Sequence, residues 1–548
     1  MRLARKLMLA GSALVVLGLV AALAVACGGD GEEEEATNTP AGTGTAAASP
    51  QAGQPKAGGK LVARLWAEPT SFDPHTVQDP QSTIVFNATY DSLLKVRWDN
   101  RLPSPAPLEI VANLAKSWEQ PDATTYIFHL NEGVKFQNVA PVNGREMTAE
   151  DVKYSFERMK TPAPQFILRS LFEDVTSIEA VDKYTVKVTL KAPNAPFLTS
   201  VASPWAMIMP KELVDQKLET KMPVGTGPFI MKSYKKGEGV TLMRNPDYFK
   251  TGQPYLDEVD LPIVLDSATS LASFRGGSTD IDRVSADTVD PLMKTNPKTV
   301  LYELAEPYRG QIDMDCTKPP FNDVRVRQAV KYATDATDYI KTIAPGGQQY
   351  GPVGALSEWS VPDSELPKQD IEKAKALLAE AGMSSLKVKN TVTAFCIGTS
   401  MAPITQDQLK QVGIDTEIET LEAAPWMMRV YFKTAKGPQY QMAVYLHYGY
   451  ADPDGYLYNF YHSTGSENNT GYSNPNLDDL LDKERHELDK AKRKEYLLEA
   501  QRILIEECPS VFFMGIVNRL VTQPHVKGWY PQPLFSGNGE FAEMWLDK

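Results

Sequence analysis

The stretch Leu114-Ala115-Lys116-Ser117-Trp118-Glu119, followed by Thr125-Tyr126-Ile127-Phe128-His129-Leu130, Asn131-Glu132-Gly133, Val134-Lys135-Phe136 and Thr148-Ala149-Glu150-Asp151-Val152, decides how this chain is read. Residues 125–130 are rich in aromatic and β-branched side chains and predict a strand, which the turn ending in Gly133 returns as Val134-Lys135-Phe136, a hairpin. Thr148 with an acidic residue three places on has the spacing of a helix N-cap, and Val152, Phe156 and Met159 continue one apolar face, so a helix is predicted over 148–159. Trp118, Phe128 and Phe136 lie in patterns that must bury one face, and are expected to be core aromatics.

Outward from this stretch the pattern is mixed. Gly59 to Trp66 alternates as a strand, and Val175–Ala180 with Thr185–Leu190 predicts a second hairpin around Asp182-Lys183. Further on, Val326, Val330 and Ala333 mark a helix. Asp370 caps another whose Ile371, Ala374, Leu378 and Ala381 face inward before Gly382 stops it. Strands are predicted at 386–393 and 415–421. Helices before strands there suggest an α/β lobe, whereas residues 98–222 are richer in hairpins, so the two regions read as different domains. Gly225-Thr226-Gly227-Pro228 reads as a turn between lobes, its glycines permitting unusual backbone angles. It lacks the Gly-Lys-Ser/Thr ending of a phosphate loop.

The amino terminus predicts export. Arg2, Arg5 and Lys6 precede an uncharged run from Leu7 to Ala26, which reads as a signal peptide over 1–26. Residues 28–59 are Gly, Ala, Thr, Ser, Pro and Gln around one acidic run, with nothing large and apolar to bury, and read as a disordered tether. The 548 residues exceed what one hydrophobic core usually supports, so two or more lobes are expected. A formal charge of −13 disfavours nucleic-acid binding, whose affinity comes mainly from cationic contacts to phosphate. Cys316, Cys396 and Cys508 are widely separated, without C-x-x-C or a histidine pair, so no metal site is expected. One disulfide among them, or buried unpaired thiols, both remain open. The histidines at 75, 129, 447, 462, 486 and 525 sit in no triad-like or metal-ligand motif, no cofactor is called for, and the chain reads as a binding protein and not an enzyme.

The quoted stretch resembles the signature of the family 5 extracytoplasmic solute-binding proteins, which serve the peptide and nickel class of ABC importers. Further matches keep the family's order: Ser71-Phe72-Asp73-Pro74, Gly225-Thr226-Gly227-Pro228-Phe229, Arg244-Asn245-Pro246-Asp247-Tyr248-Phe249, Val326-Arg327-Gln328-Ala329, the run Ala374 to Gly382, and Ala451-Asp452-Pro453-Asp454. The resemblance implies an α/β, two-lobed periplasmic-binding-protein (Venus-flytrap) fold with an extra third domain. Its expected bounds are 58–97 with 223–304 and 524–548 for domain I, 98–222 for the hairpin-rich domain II, and 305–523 for domain III. Leu23 to Asp30 resembles the bacterial lipobox, which implies a lipid on Cys27 and a membrane-anchored chain, its tether spanning 27–57. The partners implied are a small-molecule or oligomeric solute (a peptide, modified peptide, oligosaccharide or metal chelate), an ABC permease with its cytoplasmic ATPase, and the membrane through the anchor. The chain is taken as a monomer on the outer face of the cytoplasmic membrane.

For the site, the segment Tyr440, Tyr445, His447, Tyr448, Tyr450, Tyr456, Tyr458, Phe460, Tyr461 carries more aromatics than a buried strand requires, and tyrosine offers both apolar area and a hydroxyl. The resemblance places this segment, Gly449 and Asp452 with it, at the ligand cleft, and adds Asn469 and Thr470; Tyr308 and Arg309, just before the third domain's first helix, are candidates too, and Trp426 is either a further contact or a core residue. In peptide-binding relatives an aspartate three residues before the acidic-Pro pair holds the ligand's α-amine; here that position is Gly449. Losing that charge would leave a buried ammonium unpaired, which costs several kcal/mol, so a free-amine peptide is not the expected ligand. Two other readings stay open: a lipid-anchored surface receptor without a transport role, and a surface hydrolase.

Overall fold

The computed structural model describes residues 53–548 except 100, 103–105, 164, 167–168, 395–396, 432–433 and 533–539. The signal peptide, Cys27, nearly all of the tether and Cys396 lie outside the described residues.

Three sheets organise the chain. A four-stranded sheet runs in the order Lys60–Val62, Glu258–Pro262, Gly239–Arg244, Phe229–Lys235. An antiparallel sheet runs Ala115–Asp122, Thr125–Leu130, Thr185–Leu190, Val175–Asp182. The third, of six strands, is ordered Ile281–Arg283, Ser510–Thr522, Val300–Met314, Met442–His447, Leu386–Thr393, Ile414–Leu421. Its last two strands are parallel, joined through helix Gly398–Lys410, because a parallel pair needs a long crossover.

The predicted hairpin of 125–130 with 134–136 is not formed. Thr125–Leu130 pairs on one side with Ala115–Asp122 and on the other with Thr185–Leu190, so longer partners fill both of its edges. Lys135 makes only an isolated bridge to Glu146, while Phe136 is fully buried. Phe128 is fully buried too, and Trp118 packs half-buried against the same core. The second hairpin forms, and so does the helix, over Ala149–Lys160, with the Thr148 backbone N–H donating to Asp151 at 2.9 Å. Asp370 caps Ile371–Glu380 by accepting from the Lys373 N–H, and Gly382 takes the left-handed φ of 71° that ends it.

Two long strands serve more than one core. Tyr302, Leu304 and Leu520 pack with Leu61, Ala63 and Val259, whereas Ile312, Met314, Val511 and Phe513 pack with Val330, Leu378 and Val392. Val300–Met314 and Ser510–Thr522 are therefore the segments that cross from one body to the other. The Gly225–Pro228 turn owes its glycines to close approach, contrary to the expectation of unusual angles: neither takes a left-handed φ, but a Cβ on either would lie 2.4 Å from the backbone of Thr89. Thr226 Oγ1 donates to Asp91 and fixes the turn there.

Candidate functional site

Where the two long strands cross, their register slips. Ala305 pairs with Val517 and Arg309 with Gly515, so Glu306, Pro307 and Tyr308 oppose the single residue Ile516. Such a bulge bends a strand and re-aims its side chains. Pro307 has no N–H to lose there, and Tyr308 is turned out of the ladder to face Tyr448, their rings 6.0 Å apart.

Beside this bulge, Met442–His447 pairs with Arg309–Met314 and delivers the loop 448–452. Gly449 lies so close to Pro307 that a Cβ would come within 2.3 Å of the ring and 2.8 Å of its carbonyl carbon. No side chain fits at that position. The loop ends at Asp452, which caps helix Pro453–Tyr461 by accepting from the Asp454 N–H and holds Arg493 through Nη2 at 2.6 Å and Nη1 at 3.1 Å. Asp454 is bidentate with Arg485 at 2.8 and 2.9 Å. Arg485 in turn reaches Glu173 at 3.2 Å and lies 3.3 Å over the Tyr458 ring. Both carboxylates of Asp452-Pro453-Asp454 are thus spent on arginines and the helix cap.

Behind the loop stands a buried polar layer. Asp313 accepts hydrogen bonds from Ser510, Gln311, Asn469 and Tyr445. Burial raises its pKa, and the hydrogen bonds from Ser510, Tyr445 and Asn469 with the Arg309 charge oppose the rise. Arg309, with no exposed surface, donates from Nε to Gln311 at 2.8 Å and stacks over Tyr456 and Phe512. His447 packs edge-on against Phe460, ring centroids 4.1 Å apart. Its Nδ1 is 2.7 Å from the Tyr448 carbonyl, which only accepts, so Nδ1 carries the proton and the buried Nε2 a lone pair. Burial and the nearby Arg309 guanidinium push its pKa well below the usual value, so the ring is neutral.

Two carboxyls near the loop are poised close to neutrality. Burial pushes Glu306 up to about 8, with Arg283 and Asn518 opposing, and neither of its oxygens makes a full hydrogen bond. Burial also pushes Glu467 up to about 7; it accepts from Tyr450 Oη at 3.2 Å.

Three neighbouring cavities surround the loop. One of about 20 Å³ is lined by Gln78, Pro80 and Trp205 on one side and Pro307, Tyr308, Tyr448, Gly449 and Tyr450 on the other. A second of about 70 Å³ shares Trp205, Gly449 and Tyr450 with it and reaches Asp454 and Arg485. A third of about 320 Å³ shares Thr199, Ala451 and Asp452 with the second.

The structure divides the residues named from sequence into two layers. Tyr308, Tyr448, Gly449, Tyr450 and Asp452 line the cavities, while Arg309, Tyr445, His447, Asn469, Thr470 and Trp426 are buried behind them. Trp426 donates Nε1–H to the Thr391 carbonyl at 3.3 Å and meets the Tyr445 ring edge-on. Sequence reasoning missed Trp205, Pro307, Glu306 and the arginines 485 and 493. Nothing local in Ser203-Pro204-Trp205 marks the buried Trp205 as lining a cavity, and nothing local pairs Arg485 or Arg493 with an acid about 30 to 40 residues earlier. Cys316 and Cys508 are free thiols, and no group of three or more His, Cys, Asp or Glu suited to a metal occurs among the described residues.

Residues 109–468 match the family described as bacterial extracellular solute-binding proteins, family 5 Middle. The chain is 29% identical over 521 residues to di/tripeptide-binding protein 2 of Pseudomonas aeruginosa, covering 88% of this chain and 94% of that one. It is 30% identical over 457 residues to haem-binding protein A of Haemophilus influenzae, covering 78% and 82%. Among solved structures it resembles the ABC transporter-associated periplasmic binding protein DppA from Helicobacter pylori in complex with peptide STSA, with a TM-score of 0.75, 27% identity, and coverage of 90% of this chain and 99% of that one.

Proposed function

Because the chain belongs to the family 5 bacterial extracellular solute-binding proteins and is the solute-binding component of an ABC importer, we propose that it captures, outside the membrane, a solute that is not held by a free α-amine. The similar proteins are binding proteins and not enzymes, and the lobes act by closing over solute. One observation carries the reading of the ligand: Gly449 is packed against Pro307 with no room for a side chain, so the place where an acid would pair an ammonium has none. The carboxylates that line the 70 Å³ cavity, Asp452 and Asp454, are already paired with Arg493 and Arg485. Recognition falls to the aromatic faces of Trp205, Tyr308, Tyr448 and Tyr450 and to the Tyr450 hydroxyl.

The relatives' names, one for di- and tripeptides and one for haem, agree with a site whose ligand follows from its lining residues and not from the fold. The bodies that close are 58–97 with 223–304 and 524–548, 98–222, and 305–523, with the strands Val300–Met314 and Ser510–Thr522 shared between the first and the last, and the chain works as a monomer anchored through a lipid on Cys27. Titration calorimetry with Ala-Ala-Ala and its N-acetyl form tests the ligand reading. The two bind within about threefold of each other, or neither binds; an advantage of about 100-fold for the free amine, about 2.7 kcal/mol, contradicts it.

A further inference from the structure

The cavities at the aromatic loop, about 20 and 70 Å³, have room for a small head group and not for a whole solute. The space is next door. The 320 Å³ groove falls in the size range of small-molecule sites and adjoins the 70 Å³ cavity at Thr199, Ala451 and Asp452, which line both. Its apolar lining includes Leu108, Tyr126, Leu198, Leu356, Trp359 and Leu488. Leu488 is 43% exposed, one of few large apolar side chains left so open among the described residues.

The charges around this groove cancel. Arg493 is held by Asp452, Lys490 by Glu358, and Glu487 by Lys492. Arg493 and Lys490 also lie 5.3 and 5.6 Å from the centre of the Trp359 ring, which spends their charge on an aromatic face. An ionic group entering would break one of these pairs, whereas a neutral apolar group would cover Leu488 and Trp359 and disturb none.

We propose that the solute is elongated, its polar head at Trp205, Tyr308 and Tyr450 and a neutral apolar arm passing Thr199 and Asp452 into this groove. This rests on the solute-capture reading above and adds the chemical class of the ligand's far end. The arm is acyl or aryl: the groove's charged groups are paired among themselves, and apart from Gln120, Thr199 and Ser357 the rest of its lining is apolar or aromatic.

The test exposes the full chain in detergent to an equimolar mixture of trialanines N-capped with acetyl, hexanoyl and octanoyl groups, and reads the retained species by native mass spectrometry. The octanoyl form is retained at least about tenfold over the acetyl form, as expected for several buried methylenes. Thr199→Trp, which blocks the neck, abolishes that preference. Leu488→Asp, a change at an exposed position that leaves the fold alone, lowers it as well. Equal retention across the series, or a preference that survives both substitutions, overturns the groove and leaves solute capture standing. Retention of none of these probes overturns the apolar arm, and failure with free peptides and sugars as well extends the loss to the capture reading.

Discussion

Replacing Glu306 by glutamine should stabilise the protein, and by an amount set by pH. Glu306 is 2% exposed, in the bulge between the two halves of Val300–Met314, and its oxygens make no full hydrogen bond. The charged group that acts on it is Arg283, two strands away across Ser510–Thr522, with the Tyr350 and Tyr456 hydroxyls also close enough to feel its charge. Burial raises its pKa from 4.5 to about 8. A carboxyl with a raised folded pKa imposes no penalty below about pH 4.5, where both states are protonated. Between 4.5 and 8 the unfolded chain ionises and the folded one does not, so stability falls by about 1.4 kcal/mol per pH unit. The accumulated loss is about 3 kcal/mol at pH 7 and about 5 kcal/mol above pH 8. Glutamine keeps the shape, cannot ionise, and offers an N–H to the partnerless Oδ1 of Asn518. Urea unfolding of both proteins at pH 5, 7 and 9, followed by tryptophan fluorescence, measures the difference, in which the other titrating groups cancel. A gap that widens with pH and levels off above 8 is expected. A gap constant across that range would refute the claim that this carboxyl is buried and neutral.

Gly449→Ala should lower stability by about 1–3 kcal/mol, because its methyl meets Pro307 and the bulge must shift; an unchanged melting temperature would show that the loop gives way freely. Arg485→Met leaves Asp454 buried and unpaired and should lose about 3–5 kcal/mol by chemical denaturation, with Asp454→Asn in the same chain recovering part of it. Burial pushes the Cys508 thiol up to about 11 and that of Cys316 up to about 12, so neither should react with iodoacetamide at pH 7.5 until denaturant is added, read by peptide mass mapping.

How much of this was legible beforehand depends on the range of the interaction that decides each part. The helix at 148–160 and the one closed by Gly382 were readable because cap, face and stop lie within one short window. The false hairpin at 125–136 came from the same locality: the turn at Gly133 is genuine, but the true neighbours of 125–130 include a strand 60 residues away. At the site, the excess of tyrosine pointed to the right loop. It did not separate Tyr448 and Tyr450, which face the cavities, from Tyr445 and His447, which face the Asp313 network. That distinction depends on strand direction and on a bulge in a strand more than 130 residues earlier. Trp205 and Pro307 stayed invisible because each acquires its role only when the two bodies meet.

The long pair Val300–Met314 and Ser510–Thr522 also sets when the molecule can fold at all. Each pairing in it joins residues roughly 200 apart, and Leu520 and Phe513 belong to different cores. Neither core is complete until the last tenth of the chain is present, and contacts this distant in sequence form late and slowly. A polypeptide threaded through a membrane from its amino terminus can therefore finish the core of residues 86–224 early, but neither of these two until its last tenth is available.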